Sequence, residues 1–222
     1  MKLALLSDPQ SHAAHQAISL LFSTFNTQVD VGYLASEHEP DRQYFLQTQA
    51  FYTQFNGQMN CYVDLQQGYS DEKFNALCQS DVIHLAGGDT FGFLADLKRC
   101  DKLSQLQAFA RKGGVIVGVS AGAMLLTPSI VTASLCGDEN NAELDDFSAL
   151  TLLPYQFVPH ANFSQNGVDL CVAASGICEH DDLVRYPLIL CSDDDAIVYQ
   201  DGSVIGFGAP LYFDGLSMLS FS

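Results

Sequence analysis

The chain has 222 residues, of which 48% are hydrophobic and 16% charged, a composition typical of a globular protein and not of a disordered one. Its formal net charge of −17 argues against binding to nucleic acid or to anionic membrane surfaces, because both select basic patches. No apolar run approaches the roughly 20 residues that cross a bilayer. We therefore expect one domain over residues 1–222 with no membrane span.

Strands and helices alternate through the first half of the chain. Strands are predicted at 3–6, 29–33, 61–63, 82–86 and 115–118, and helices at 12–25, 41–55, 71–78, 91–97 and 103–112. This alternation predicts right-handed crossovers and a parallel sheet covered by helices on both faces.

The last third of the chain changes character. A strand end is predicted at 157–159, a helix at 167–174, and short strands at 188–191, 196–199, 203–207 and 211–213. The dipeptide Asp201-Gly202 lies between two of these strands and is typical of a tight hairpin. We expect the late strands to extend the same sheet in the antiparallel direction.

The seven cysteines are scattered without a C-x-x-C pair, which indicates neither a disulfide framework nor a zinc site. We expect no metal and no cofactor. The N-terminal apolar stretch at 3–6 is too short for a secretory signal and is typical of a first buried strand. These features predict a cytoplasmic protein.

The segment 118–122, with the sequence GVSAG, follows an apolar run and precedes a segment that can form a helix. Strand, G-x-S-x-G and helix is the pattern of a nucleophile elbow, in which a sharp turn exposes the serine hydroxyl. Ser120 is therefore a candidate nucleophile. The alternative is an ordinary strand–helix turn in which Ser120 caps the helix.

A serine hydroxyl needs a neighbouring base, and the base needs a group that orients it. Among the six histidines, His160 follows a predicted strand end in a loop stiffened by Pro159, which makes it the leading candidate. The other five are more simply structural or solvated, and His84 falls within a predicted buried strand. An acidic loop at 136–146 supplies candidates for the orienting carboxylate.

The loop after the fourth strand has the sequence AGGDTF at 86–91. Parallel sheets bind ligands at the carboxyl ends of their strands, so this loop and the elbow are expected side by side. The N–H of Ala121 and an N–H of the Gly87-Gly88 pair are candidate oxyanion donors. Asp89 or Thr90 is also expected to cap the following helix.

Several motifs, in order along most of the chain, resemble the peptidase E (alpha-aspartyl dipeptidase) and cyanophycinase family of serine peptidases. They are LLS at 5–7, GGDTF at 87–91, GVSAGA at 118–123, PSI at 128–130 and PH at 159–160. The resemblance implies a class I glutamine amidotransferase-like, three-layer α/β/α sandwich, with a mostly parallel sheet and antiparallel C-terminal strands. It also implies a serine exopeptidase acting on very short peptides, by family default Asp-X dipeptides.

Residue roles follow from the matching motifs. The resemblance implies that Ser120 is the nucleophile, His160 the general base, and Gly88 and Ala121 the oxyanion donors. Counting back from the histidine places Asp138 opposite the family's catalytic aspartate, if a short insertion is allowed after the elbow. Its neighbour Glu139 is the second choice for the triad acid.

Two departures from the family bear on the substrate. Asp89 replaces the usual asparagine of the Gly-Gly-Asn-Thr loop, and is a candidate for binding the substrate's α-ammonium group. Residues 161–179 contain no lysine or arginine, although aspartyl dipeptidases place an arginine after the catalytic histidine. One possibility is that the substrate carboxylate pairs with Arg185, with His180 or with a residue of the first half of the chain. The other is that the substrate does not begin with aspartate.

Two other functions remain open at this point: an esterase of the α/β-hydrolase class, and a non-catalytic binding module on an amidotransferase-like scaffold. The GGDTF loop and the position of His160 far from the C-terminus weigh against the esterase. For the preferred function the expected partner is a small peptide substrate, and we expect a monomer or homodimer.

Overall fold

The computed structural model describes residues 1–161, 186–214 and 217–220. In chain order the described strands are β1 (Lys2–Leu6), β2 (Val29–Leu34), β3 (Gly57–Val63), β4 (Val82–Leu85), β5 (Val115–Val119), β6 (Gln156–Val158), β7 (Leu188–Leu190), β8 (Ala196–Gln200), β9 (Ser203–Phe207), β10 (Leu211–Phe213) and β11 (Met218–Ser220). The described helices are α1 (His12–Phe22), α2 (Gln43–Thr53), α3 (Asp71–Leu77), α4 (Thr90–Arg99), α5 (Leu103–Arg111), α6 (Ala121–Met124) and a 3-10 helix (Val131–Cys136).

The main sheet has seven strands in the order β3-β2-β4-β5-β1-β8-β9. Strands β1 to β5 pair in parallel, whereas β8 and β9 run antiparallel to their neighbours. The predicted parallel sheet with an antiparallel C-terminal extension is confirmed.

Side chains of the sheet alternate between two cores. In β1, Leu3 and Leu5 pack in the core formed with α3, α4, α5 and α6, whereas Ala4 and Leu6 pack in the core formed with α1 and α2. Because successive strand residues point to opposite faces, a strand buried on both sides reads as a continuous apolar run. The helices therefore cover both faces, and the predicted three-layer α/β/α sandwich is confirmed.

The late strands do not all join the main sheet. Strands β6, β7, β10 and β11 form a second sheet in the order β11-β10-β7-β6, in which β6 and β7 are parallel. The expectation that the strands at 188–191 and 211–213 extend the main sheet is wrong. The β8–β9 hairpin occupies the main-sheet edge next to β1, so β7 pairs with β6 instead.

The predicted hairpin is present between β8 and β9, where Gln200 pairs with Ser203 across two turn residues. Asp201 and Gly202 both have positive φ, 51° and 91°, as such two-residue turns require. The helix predicted at 167–174 lies outside the described residues. In the described part of the chain, no helix has both the length and the apolar character needed to cross a membrane.

Candidate active site

Ser120 stands at a sharp turn between β5 and α6. Its backbone adopts φ 48° and ψ −110°, and α6 begins at the next residue. A Cβ on Gly118 would lie 2.5 Å from the carbonyl oxygen of Gly122, and one on Gly122 would collide with the carbonyl of Leu85. The turn thus leaves no room for side chains beside the serine. Ser120 occupies the N-cap position of α6, but its hydroxyl makes no capping hydrogen bond.

The hydroxyl of Ser120 is instead paired with an imidazole. Ser120 Oγ lies 2.9 Å from Nε2 of His160, and Nδ1 of the same ring lies 2.5 Å from Oδ1 of Asp193. Hydroxyl, imidazole and carboxylate are thereby connected in the order that activates a serine. The structure brings together the predicted nucleophile and base and adds a carboxylate that the sequence analysis did not name.

Parallel pairing in the second sheet explains why His160 and Asp193 meet. Strand β6 ends two residues before His160, and β7 ends three residues before Asp193. The two strands are paired in register, with Val158 opposite Leu190. Because parallel neighbours end at the same edge of a sheet, the loops that follow them lie side by side.

Ser7 connects this second sheet to the main sheet. It follows β1, and its Oγ accepts a 2.7 Å hydrogen bond from the backbone N–H of His160. The N–H of Ser120 in turn donates to the carbonyl of Leu6, at 2.9 Å. His160 has a φ of 54°, so this contact supports a left-handed backbone conformation that is uncommon outside glycine.

Asp138, the acid expected from the motif count, lies elsewhere. Its Oδ2 accepts a 2.5 Å hydrogen bond from the hydroxyl of the buried Thr90, at the start of α4. Glu139, the second choice, is exposed. The structure places neither carboxylate on His160. The expected contact of Asp138 with the imidazole is therefore corrected to a contact of Asp193 with Nδ1.

A signal for Asp193 exists in the sequence. The run CSDDD at 191–195 follows a predicted strand, just as His160 does. The predicted acids lie between Ser120 and His160, whereas Asp193 follows the histidine in the sequence. The third aspartate of the run, Asp195, is 3% exposed and accepts hydrogen bonds from Ser192 and from the backbone of Ala209.

The two predicted oxyanion donors are Ala121, within the elbow, and Gly88, in the glycine loop beside it. A methyl group on Gly87 would lie 3.6 Å from Cβ of Ser120, so the glycine loop passes directly beside the serine. Gly88 has a φ of +136°, which only glycine adopts readily. Within the described chain, no acceptor takes the N–H of Gly88 or of Ala121. Both groups are therefore available to a ligand.

The remaining predicted residues concern substrate binding. Asp89 caps α4, with its Oδ1 accepting from the N–H of Phe91 and of Gly92 at 3.0 and 3.1 Å. The expected cap is confirmed. The two hydrogen bonds occupy one of the carboxylate oxygens of Asp89. Arg185 and His180 lie outside the described residues.

Comparison with known proteins shows which family the chain resembles. The model of Peptidase family S51 matches residues 21–206 of the chain. An uncharacterized peptidase of Pasteurella multocida is 32% identical over 120 residues, 54% of each chain. Peptidase E of Citrobacter koseri is 33% identical over 85 residues, 38% of this chain and 36% of that protein. The matches thus span about half or less of these curated relatives.

Solved structures support the fold. A protein of Listeria monocytogenes EGD-e assigned to peptidase E superposes with a TM-score of 0.69 at 20% identity, covering 92% of this chain and 96% of that one. A peptidase from an acI-B1 Actinobacterium gives a TM-score of 0.69 at 17% identity, covering 100% and 93%. The family match over most of the chain is the stronger finding, and by it this chain belongs to Peptidase family S51.

Proposed function

We propose that this chain is a serine-type exopeptidase that hydrolyses short peptides, dipeptides above all. Ser120 is the nucleophile, His160 the general base and Asp193 the group that orients the imidazole. The observation that carries the proposal is the 2.9 Å contact between Ser120 Oγ and His160 Nε2, with Asp193 on the other ring nitrogen.

In the first step, Ser120 Oγ attacks the peptide carbonyl while Nε2 of His160 takes the hydroxyl proton. The carbonyl oxygen acquires negative charge, which the N–H groups of Gly88 and Ala121 stabilise. The C–N bond then breaks, and the imidazolium returns the proton to the leaving amine. Asp193 holds Nδ1–H and thereby keeps Nε2 unprotonated before attack.

In the second step, water hydrolyses the acyl-enzyme. His160 removes a proton from the water, the resulting hydroxide adds to the ester carbonyl, and the C–O bond to Ser120 breaks. The serine oxygen recovers its proton from the imidazolium. The products are an amine and a carboxylic acid, with the enzyme unchanged.

The experiment is to replace Ser120 by alanine and measure dipeptide hydrolysis by mass spectrometry. We expect the S120A variant to lose activity by about 10⁴-fold or more while remaining folded, because only the hydroxyl is removed. Ser104→Ala, at an exposed serine of α5, is the matched control and should leave hydrolysis unchanged.

Undiminished turnover by Ser120→Ala would refute the role of this serine. Esters of p-nitrophenol measured beside the dipeptide panel test the alternative of an esterase. A strong preference of the wild-type protein for the esters would replace peptide hydrolysis by ester hydrolysis as its function.

A further inference from the structure

A cavity of about 400 Å³ opens beside the elbow. It shares Gly87, Gly88 and Val119 with the loops that surround Ser120. Its volume falls in the range of roughly 300–1,000 Å³ that is usual for small-molecule sites. A peptide bound at Ser120 therefore has a neighbouring space for one of its side chains.

The polar lining of this cavity carries negative charge. Asp8, Glu37 and Glu39 line it, and no lysine or arginine is among its described lining residues. Glu39 is only 8% exposed, and no cation of the described chain forms an ion pair with it. A carboxylate that is largely removed from water and lacks a cation attracts one strongly.

Two hydrogen bonds from neutral donors hold Glu39 in place. Its Oε1 accepts from the hydroxyl of Tyr33 at 2.7 Å, and its Oε2 accepts from the N–H of Phe45 at 3.0 Å. Burial, followed by the contact with Glu39, raises the pKa of Tyr33 well above its usual value, so this phenol stays a donor.

A buried histidine also lines the cavity. His84 is 3% exposed, stacks on Tyr33, and places Nδ1 2.9 Å from the hydroxyl of Tyr52. The other ring nitrogen, Nε2, makes no hydrogen bond to a described residue, and the ring lines the cavity. Burial lowers the pKa of His84 to about 3, so the ring is neutral at pH 7 and does not repel a cation.

We propose that this cavity binds the cationic side chain of a lysine or arginine residue of the substrate peptide. The inference rests on the peptidase function proposed above and defines its substrate class. Glu37 and Asp8 supply charge at the cavity, Glu39 supplies it deeper in the protein, and His84 lines it with a neutral ring. An aspartyl side chain would meet like charges here, so the family's default preference is not expected for this chain.

The test compares peptides that differ only in this charge. Lys-Leu is measured against norleucyl-Leu, which has a side chain of similar length without the ammonium group, and against Asp-Leu. Leu-Lys and Leu-norleucine place the same pair on the other side of the scissile bond. We expect kcat/KM to be about tenfold higher for the lysine peptide on one side of the bond, and lowest for Asp-Leu.

Charge reversal at Glu37 tests the cavity itself. Glu37 is exposed and has no hydrogen bond to a described residue, so Glu37→Lys should not disturb folding. We expect the ratio of kcat/KM for the lysine and norleucine peptides to fall at least tenfold. The matched control is Glu72→Lys, at an exposed residue of α3 outside the cavity lining, which should leave the ratio unchanged.

Calorimetry with the Ser120→Ala variant separates this inference from the peptidase function. Tighter binding of Lys-Leu or Leu-Lys than of its norleucine partner supports the cavity even if the wild-type protein hydrolyses none of the peptides. Equal dissociation constants for lysine and norleucine peptides would overturn the inference, as would a ratio unaffected by Glu37→Lys. If Ser120→Ala loses hydrolysis but the wild-type protein does not distinguish the lysine peptides from the norleucine peptides, the cavity assignment alone is overturned.

Discussion

At the scale of single residues, Asp193 and His160 form a pair that is accessible to solvent. Their side chains are 63% and 45% exposed, so the carboxylate keeps much of its hydration. A solvated carboxylate contributes less by its charge than a buried one, because water screens it. We infer that Asp193 acts chiefly by fixing the ring and its tautomer, so that Nε2 faces Ser120 without a proton.

Asp193→Asn tests this role. The amide leaves the shape of the side chain but can donate to Nδ1, which favours the tautomer with its proton on Nε2. We expect kcat/KM to fall at least about 100-fold with little change in the free energy of unfolding. Steady-state kinetics and urea denaturation measure the two quantities.

Two other carboxylates serve as controls for that substitution. Asp138→Asn removes a charge from the contact with Thr90 and should reduce kcat/KM less than tenfold. Asp194→Asn removes an exposed charge next to Asp193 and should have a similarly small effect. A larger loss from Asp138→Asn than from Asp193→Asn would return the triad acid to the loop after the elbow.

At the scale of elements, the active site is assembled from strand ends of two different sheets. Strand β5 of the main sheet delivers Ser120, whereas β6 of the second sheet delivers His160. Ser7, at the end of β1, is 1% exposed and joins the two through its contact with the His160 backbone. The relative position of the proposed nucleophile and base therefore depends on this junction.

Ser7→Ala should disturb the junction. The variant leaves the His160 N–H without its acceptor, which costs about 1–3 kcal/mol of stability. We also expect kcat to fall about tenfold with KM little changed, because the imidazole loses its support at a left-handed backbone position. Kinetics and denaturation on the same preparations measure both effects.

Ser129→Ala is the matched control. Ser129 is also fully buried, and its Oγ accepts a backbone hydrogen bond from Val131, but it does not touch His160. It should lose stability to a similar extent without the loss in kcat. If both variants show the same kcat, Ser7 contributes to folding alone and does not position the base.

At the scale of the whole molecule, the core of the α1 and α2 face holds a group that titrates in the unfolded chain. His84 is buried in β4, and burial lowers its pKa from 6.5 to about 3. Between these values the unfolded state binds more protons than the folded state, so stability falls as the pH falls from about 6.5 towards 3. Tyr33 and Tyr52 face this ring and are uncharged throughout that range.

His84→Gln should remove this dependence. From pH 7 to pH 5, we expect the wild-type protein to lose about 2 kcal/mol more of its free energy of unfolding than the variant does. Urea denaturation at the two pH values measures the difference, and each protein is its own reference at pH 7. Equal losses in the two proteins would mean that His84 is protonated in the folded state or is not buried in solution.

The fold was largely predictable because its signals are local. Five apolar runs alternating with helical segments became β1 to β5, and Asp201-Gly202 became the hairpin turn, since periodicity and turn chemistry are properties of neighbouring residues. The assignment of β7 and β10 to a second sheet was missed. Which strand pairs with which is decided by competition for edges, and β8 and β9 occupy the side of the main sheet next to β1.

The same division applies to the site. The sequence alone determined the elbow at Ser120, because the turn requires glycine at fixed offsets within five residues. It also determined the choice of His160, through its place after a strand end. Only the tertiary structure decided that Asp193 contacts the imidazole of His160. This contact depends on the parallel pairing of β6 with β7, whose residues lie about thirty positions apart in the sequence. Spacing along a chain does not specify which ends of distant strands meet.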